Sequence, residues 1–244
     1  ESTELPDETR QFEFYAAIVK AFGGKPVTFR LLDVGGDKPI PYLHLEEEDN
    51  PYLGWRGTRF LLDNPEIIRT QVRAIAKASV EGTVEIMYPM VTGIVQLNEI
   101  REIVRGALGP GEWEGLHIRE GAMIEVPSLL FELEEVARVV DFISIGTNDL
   151  IQYLFAVDRN NENVADSYDP THPVLWKIIE RTTAVGRKYG IPVSVCGEMA
   201  GMPQFTERFL KAGVSSLSMS PRMIPRVKRV LVDLSTTEGS ASHV

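Results

Sequence analysis

Short runs of branched apolar residues alternate along this chain with longer segments of helical period, and this alternation restricts the fold more than any other feature. Residues 27–33 (VTFRLLD), 84–90 (VEIMYPM), 121–126 (GAMIEV), 141–146 (DFISIG), 192–197 (PVSVCG) and 215–220 (SSLSMS) read as strands bounded by Gly, Pro or polar turns. Near-continuous apolar runs of this kind suit parallel strands covered on both faces. Between them lie helical stripes. Phe12, Tyr15, Ala16, Val19 and Phe22 share one face of 8–22, and Ile68, Val72, Ile75 and Ala76 share one face of 65–78. The second of these starts well, with Asn64 as N-cap and Pro65 at the first helical position. Segments 94–107, 128–138, 173–189, 203–212 and 222–233 follow similar periods, the last with Met223, Val227, Val230, Leu231 and Leu234 as its stripe.

A β–α alternation implies α/β architecture with a parallel sheet, either doubly wound or a TIM-type (β/α)8 barrel. No Gly-x-Gly-x-x-Gly follows a strand, which lowers the dinucleotide-binding reading. Six strands are legible where a closed barrel has eight. The barrel is therefore expected to be incomplete. Residue 1 is not Met and the first element is already a helix, which favours a piece of a longer polypeptide over two unrecognised strands. Residues 1–234 read as one barrel domain, truncated at its N-terminal side, and 235–244 as a frayed, disordered tail.

Composition narrows the function classes. Of 244 residues, 43% are hydrophobic and 25% charged, which fits a globular domain with a core and excludes a disordered or fibrous chain. The net charge of −10 repels nucleic-acid phosphate and anionic membrane, so neither is expected as a partner. No run of apolar residues is long enough to span a bilayer. Cys196 is the single cysteine, which excludes an internal disulfide and permits a reducing compartment. Residues 1–10 (ESTELPDETR) are polar and acidic and do not read as a signal peptide.

Charged and reactive residues recur at the carboxyl ends of the strands, the edge that carries the chemistry in (β/α) barrels. Strand 27–33 runs into Asp33-Val34-Gly35-Gly36-Asp37-Lys38, strand 121–126 carries Glu125, strand 141–146 runs into Gly146-Thr147-Asn148-Asp149, and strand 192–197 carries Cys196-Gly197-Glu198. Glu125 and Asp149 follow consecutive strands, and two carboxylates completed by substrate oxygens and water suit Mg²⁺. Taken singly, each could instead cap a helix or pair with a lysine. Arg30, Arg56 and Arg159 are candidate anion ligands, because a guanidinium fork matches phosphate and carboxylate. Arg30 stands in an otherwise apolar strand and needs either an ion pair or a ligand. Arg159 could simply pair with Asp158 at the surface. Cys196, at a strand end, is a small core residue or a proton donor. His44, His117, His172 and His243 show no metal-ligand spacing: His44 and His117 read as surface loops, His172 as a helix start, His243 as tail. The acidic run 46–49 reads as a solvated loop.

Six motifs stand in order: Leu32-Asp33-Val34-Gly35-Gly36-Asp37-Lys38, Asn50-Pro51-Tyr52-Leu53-Gly54-Trp55-Arg56, Ile124-Glu125-Val126-Pro127-Ser128, Ser144-Ile145-Gly146-Thr147-Asn148-Asp149-Leu150, Ala156-Val157-Asp158-Arg159 and Cys196-Gly197-Glu198-Met199-Ala200-Gly201. Over residues 6 to about 234 the chain resembles the phosphoenolpyruvate-binding C-terminal barrel of the Enzyme I family, the phosphoenolpyruvate–protein phosphotransferases of the sugar phosphotransferase system. The resemblance implies an enzyme that moves the phosphoryl group of phosphoenolpyruvate to a histidine on a separate swivelling domain and releases pyruvate. It implies that Glu125 and Asp149 hold Mg²⁺, that Arg30 and Arg56 grip the phosphoryl group, that Asn148 and Asp149 contact substrate, that Arg159 completes the anion site, and that Cys196 protonates the enolate. It further implies a cytoplasmic homodimer that passes phosphate to a histidine-phosphocarrier protein. The alternatives are the barrel of a pyruvate phosphate dikinase or phosphoenolpyruvate synthase, or a non-catalytic dimerisation module that senses phosphoenolpyruvate. The family's swivelling histidine, its first two barrel strands and a further arginine in an Arg-Thr-Glu-Phe run have no counterpart here. The chain alone is accordingly expected to bind phosphoenolpyruvate weakly at best and not to turn over.

Overall fold

The computed structural model describes residues 5–35 and 48–241, with backbone alone for 236–241. Gly36, Asp37, Lys38, His44, Glu46, Glu47 and His243, singled out above, lie outside the described residues. In chain order the elements are α1 (Glu8–Ala21), β1 (Val27–Arg30), α2 (Thr58–Asp63), α3 (Pro65–Ala78), β2 (Val84–Tyr88), α4 (Ile94–Arg105), β3 (Ile118–Ile124), α5 (Leu133–Ala137), β4 (Phe142–Gly146), α6 (Thr147–Leu154), α7 (Pro173–Tyr189), β5 (Val193–Cys196), α8 (Pro203–Ala212), β6 (Ser216–Leu217) and α9 (Ile224–Ala241). The α/β class and the six parallel strands agree with the sequence reading. Packing divides the chain into two compact units, Glu1–Met123 and Ile124–Val244.

In the first unit β1 pairs with β2 and β2 with β3, all parallel, with Val27 opposite Val84 and Val84 opposite Ile118. Parallel pairing aims the carboxyl ends of these strands the same way. The expectation of strands buried on both faces needs amendment here. Val27 and Phe29, and Val84, Ile86 and Tyr88, are buried on alternate positions, whereas Thr28 and Arg30 are exposed and Glu85 and Met87 partly so. The second face is polar, and its groups pair across strands: Thr28 donates to Glu85, and Arg119 pairs with Glu85. On the helix side, Glu120 is 3% exposed and accepts from Tyr88 Oη at 2.5 Å and Arg105 Nη2 at 2.6 Å. Burial, then the Glu120 charge, push the Tyr88 hydroxyl well above its ordinary range. Helix α3 buries Ile68, Val72, Ile75 and Ala76 as its stripe requires. Pro65 opens it, but Asn64 does not cap with its side chain; its Nδ2 donates to Phe60 O at 2.9 Å.

In the second unit β4, β5 and β6 are parallel neighbours, with Gly146 opposite Cys196 and Val195 opposite Leu217. Here β4 is buried at every position, as a strand covered on both faces should be. Helix α7 starts at the expected residue: His172 Nδ1 accepts from Val174 N at 3.2 Å and Pro173 follows. It packs Trp176 against Phe205 and Phe209 of α8, with ring centroids 5.7 and 5.1 Å away. Arg208 lies 3.9 Å over the same indole. Segment 128–138 is not one helix but a 3₁₀ stretch, Pro127–Glu132, followed by the short α5. The last helix was expected to end near 233 and the final ten residues to fray; α9 instead continues to Ala241.

Gly186 decides how closely α7 meets β5. A Cβ there would stand 2.4 Å from Val193 Cγ2 and 2.9 Å from Ile191 O. In an open helix Gly→Ala stabilises by about 1 kcal/mol. The collision opposes this with roughly 1–3 kcal/mol of overpacking. Gly186→Ala is therefore expected to lower the midpoint of urea unfolding; a raised midpoint would show that the helix can back away at no cost.

Candidate active site

In the first unit, the chain after β1 stays extended to carry Asp33 beside Arg56. Gly57 N donates to Val34 O at 3.1 Å, which lays segment 55–57 along segment 33–35. Arg56 Nε and Nη2 then donate to Asp33 Oδ1 and Oδ2, both at 3.1 Å, a two-pronged pair whose side chains are 0% exposed. Arg30 Nη1 stands 3.5 Å from the same carboxylate, with 41% of its side chain exposed. Asp33 thus gathers two of the three predicted anion ligands. This also answers the question left open for Arg30: its partner three residues on is Asp33.

In the second unit, Glu125 follows β3 directly and is 1% exposed. Val126, not Glu125, is the N-cap residue of the 3₁₀ turn that follows. Asn148 and Asp149 occupy the first turn of α6, where Asp149 is 6% exposed. Arg159 Nη1 stands 3.7 Å from Asp149 Oδ1. The bland alternative, an Arg159–Asp158 surface pair, is not the arrangement found, and Asp158 Oδ1 accepts instead from Asn160 N at 2.9 Å. The approach of Arg159 depends on Ala156, whose φ of 52° turns the chain sharply after α6. A non-glycine residue in that region costs about 1–3 kcal/mol. Val157 N on Gln152 O at 3.0 Å and Arg159 N on Gln152 Oε1 at 3.2 Å hold the turn.

Cys196 ends β5 and is half-buried. Its thiol donates to Ile145 O, and its sulfur accepts from Ser144 Oγ, both at 3.4 Å. Ser144 is 3% exposed, so both contacts come from the covered interior of β4. Glu198, named in the sequence as part of the strand-end run, contributes its backbone: Glu198 N donates to Asn148 Oδ1 at 3.0 Å. Tyr168 escaped the sequence reading. Tyr168 Oη reaches Asn148 O at 3.4 Å, and burial raises its hydroxyl to about 12, with Arg159 opposing and Glu198 and Asp149 reinforcing. Tyr168 therefore stays a neutral donor at physiological pH.

The predicted residues accordingly fall into two sets, Arg30 and Arg56 around Asp33 in one unit, and Glu125, Asn148, Asp149, Arg159 and Cys196 in the other. Among the described residues no group of three or more His, Cys, Asp or Glu side chains is arranged to hold a metal unaided. Glu125 and Asp149 nonetheless supply only hard oxygen donors, which fits Mg²⁺, an ion commonly held by one or two carboxylates with water and substrate oxygens completing its shell. No described helix is long and apolar enough to cross a membrane.

Comparison with known proteins identifies the family. The family model of the PEP-utilising enzyme, PEP-binding domain, matches residues 1–236. A protein of Salmonella typhimurium named phosphoenolpyruvate-dependent phosphotransferase system is 44% identical over 93% of the chain and 31% of its own length. A phosphoenolpyruvate-protein phosphotransferase of Latilactobacillus sakei is 38% identical over 98% of the chain and 42% of its own length. The chain thus spans between about a third and two fifths of these curated relatives. A citrate lyase structure from Burkholderia xenovorans superposes with a TM-score of 0.53 at 12% identity, over 93% of the chain and 65% of that protein, a likeness of fold alone. With a family model matching residues 1–236 of the 244, the chain belongs to the PEP-binding domain family of the PEP-utilising enzymes.

Proposed function

We propose that this chain is the phosphoenolpyruvate-binding part of a phosphoenolpyruvate–protein phosphotransferase of Enzyme I type. The observation that carries the reading is the family match over residues 1–236, with relatives so named at 38–44% identity. The chemistry of the side chains supports it. Phosphoryl transfer asks mainly for positioning and for positive charge against the phosphoryl oxygens.

In this reading Arg30 and Arg56 bind the phosphoryl group. Arg56 is the rigid member, because Asp33 holds its fork and no solvent shell has to be removed when the ligand arrives. Arg30 is the accessible one. Asn148 donates from its amide, and Arg159, steadied on Asp149, neutralises the remaining anionic charge. Glu125 and Asp149 would hold Mg²⁺, which when bound adds positive charge at the ligand's oxygens. The P–O bond of phosphoenolpyruvate breaks, the phosphoryl group passes to a histidine nitrogen on a separate domain, and the bond's electrons remain on the pyruvate enolate. Cys196 then gives its thiol proton to the enolate methylene carbon, forming pyruvate, and the thiolate recovers a proton from solvent. Partner histidine-phosphocarrier proteins, a homodimer and a cytoplasmic site of action belong to the same proposal.

Titration of the full-length polypeptide with phosphoenolpyruvate and Mg²⁺ by calorimetry tests binding. Wild type is expected to bind, and Glu125→Gln and Arg30→Gln each to weaken binding at least about tenfold, the scale of one lost charge-assisted contact. Absence of any binding by wild type would retire the proposal. ATP- or AMP-dependent turnover would point instead to a dikinase or synthase.

Cys196→Ala is expected to keep phosphoenolpyruvate affinity within about twofold. Pyruvate release should fall by about 10²–10⁴, the usual contribution of a positioned general acid. Lactate-dehydrogenase-coupled assay of pyruvate reads this directly. Lost affinity with retained turnover would make the thiol a packing residue.

A further inference from the structure

The turn that carries Cys196 is bound to the start of α6 by two hydrogen bonds that cross between strands. Thr147 is 0% exposed and is the first residue of α6, yet its hydroxyl does not cap that helix. Thr147 Oγ1 donates to Cys196 O at 2.8 Å. One residue further along α6 and two further along the turn, Glu198 N donates to Asn148 Oδ1 at 3.0 Å. Between the two bonds lies Gly197 with φ +99°, where a Cβ would stand 2.6 Å from Thr147 Oγ1 and 2.8 Å from Asn148 Oδ1. Only a residue without a side chain lets the two segments close to this distance in this conformation.

Two chemical consequences follow. The Asn148 side-chain oxygen accepts from Glu198 N, and the amide's NH₂ is a donor that can meet only an acceptor atom, as an anionic ligand provides. The main chain of Cys196 is fixed by Thr147, and its sulfur by Ser144 and Ile145, so the thiol is held in place from both ends. We infer that Thr147 is a positioning residue, which locks the Cys196–Glu198 turn onto α6 so that the thiol and the Asn148 amide are held as one unit. This deepens the proposed function and rests on it for its catalytic consequence, but not for its structural one.

Thr147→Val keeps the shape and removes the hydroxyl; Thr147→Ser keeps the hydroxyl. In the full-length protein, Thr147→Val is expected to lower kcat for pyruvate formation about 10- to 100-fold, since misplacement by about 1 Å can cost a factor of 10². KM for phosphoenolpyruvate should stay within about twofold, and Thr147→Ser should recover kcat to within about threefold. A kcat unchanged by Thr147→Val, or a loss that Thr147→Ser fails to recover, overturns the inference. The second measurement needs no substrate: the rate at which iodoacetamide alkylates Cys196 at fixed pH. Thr147→Val should change it at least about threefold and Thr147→Ser should not. If wild type forms no pyruvate, the proposed function fails and the alkylation rates alone decide. Equal rates in wild type and Thr147→Val then overturn the positioning role.

Discussion

Burying charge without losing it is the constraint on which the rest of this molecule depends. An isolated ion taken from water costs several kcal/mol even after the protein relaxes. Arg56 and Asp33 are both fully covered, so their two-pronged geometry is a condition for the fold as well as an ornament of the site. That geometry dictates the path of the chain around it. Segment 33–35 continues beyond β1 and segment 55–57 must lie against it, and the Gly57–Val34 backbone bond records the alignment. The pair offsets much of its own desolvation but not all of it, and the apolar packing of Phe60, Leu61, Ile68 and Val72 in the same unit has to supply the difference.

In the proposed function the return on that cost is chemical. A guanidinium already desolvated and already oriented need not shed water or search rotamers when an anion arrives, so its attraction is felt in a low dielectric at once. The second unit follows the same logic with different parts. Arg159 is drawn to Asp149 by a turn through a left-handed alanine, a strain that local hydrogen bonds to Gln152 must hold. Tyr168 contacts the first turn of α6 as a neutral donor, adding no charge to a place where two carboxylates and a guanidinium already act.

What the sequence made legible was periodic; what it hid was local or distant. The long helices announced themselves by a stripe of period 3.6, and the strands by short runs of branched apolar residues between turns. The strand ends were read too long at 27–33 and 215–220, because the residues that deliver chemistry stay extended after the ladder stops, and composition does not mark that boundary. Helix α2 went unread because it has only six residues and begins after a glycine that offers no capping side chain. The length of α9 was underestimated because Ser-Thr-Thr-Glu-Gly-Ser has weak helix propensity, which neighbouring turns override. Candidate residues could be named from their position at strand ends. Their partners could not. Asp33 and Arg56 stand 23 residues apart, Thr147 and Cys196 49, and Tyr168 and Asn148 20. No local period connects such pairs.

The nature of the proposed proton donor follows from what a general acid must carry. A solvated carboxylic acid is ionised at neutral pH, would oppose an anionic ligand, and would have no proton to give. A thiol is a much weaker acid than a carboxyl group. It can stand beside the methylene of an anion without repelling it. After the proton leaves, the charge falls on sulfur, where the Ser144 hydroxyl already points a donor at it. The Ile145 carbonyl works in the other direction, because it can hold the thiol proton but gains nothing from a thiolate. In the proposed function, donor and acceptor on adjacent residues of β4 therefore bracket the two protonation states of one sulfur, which suits a group that would lose and regain a proton in each cycle.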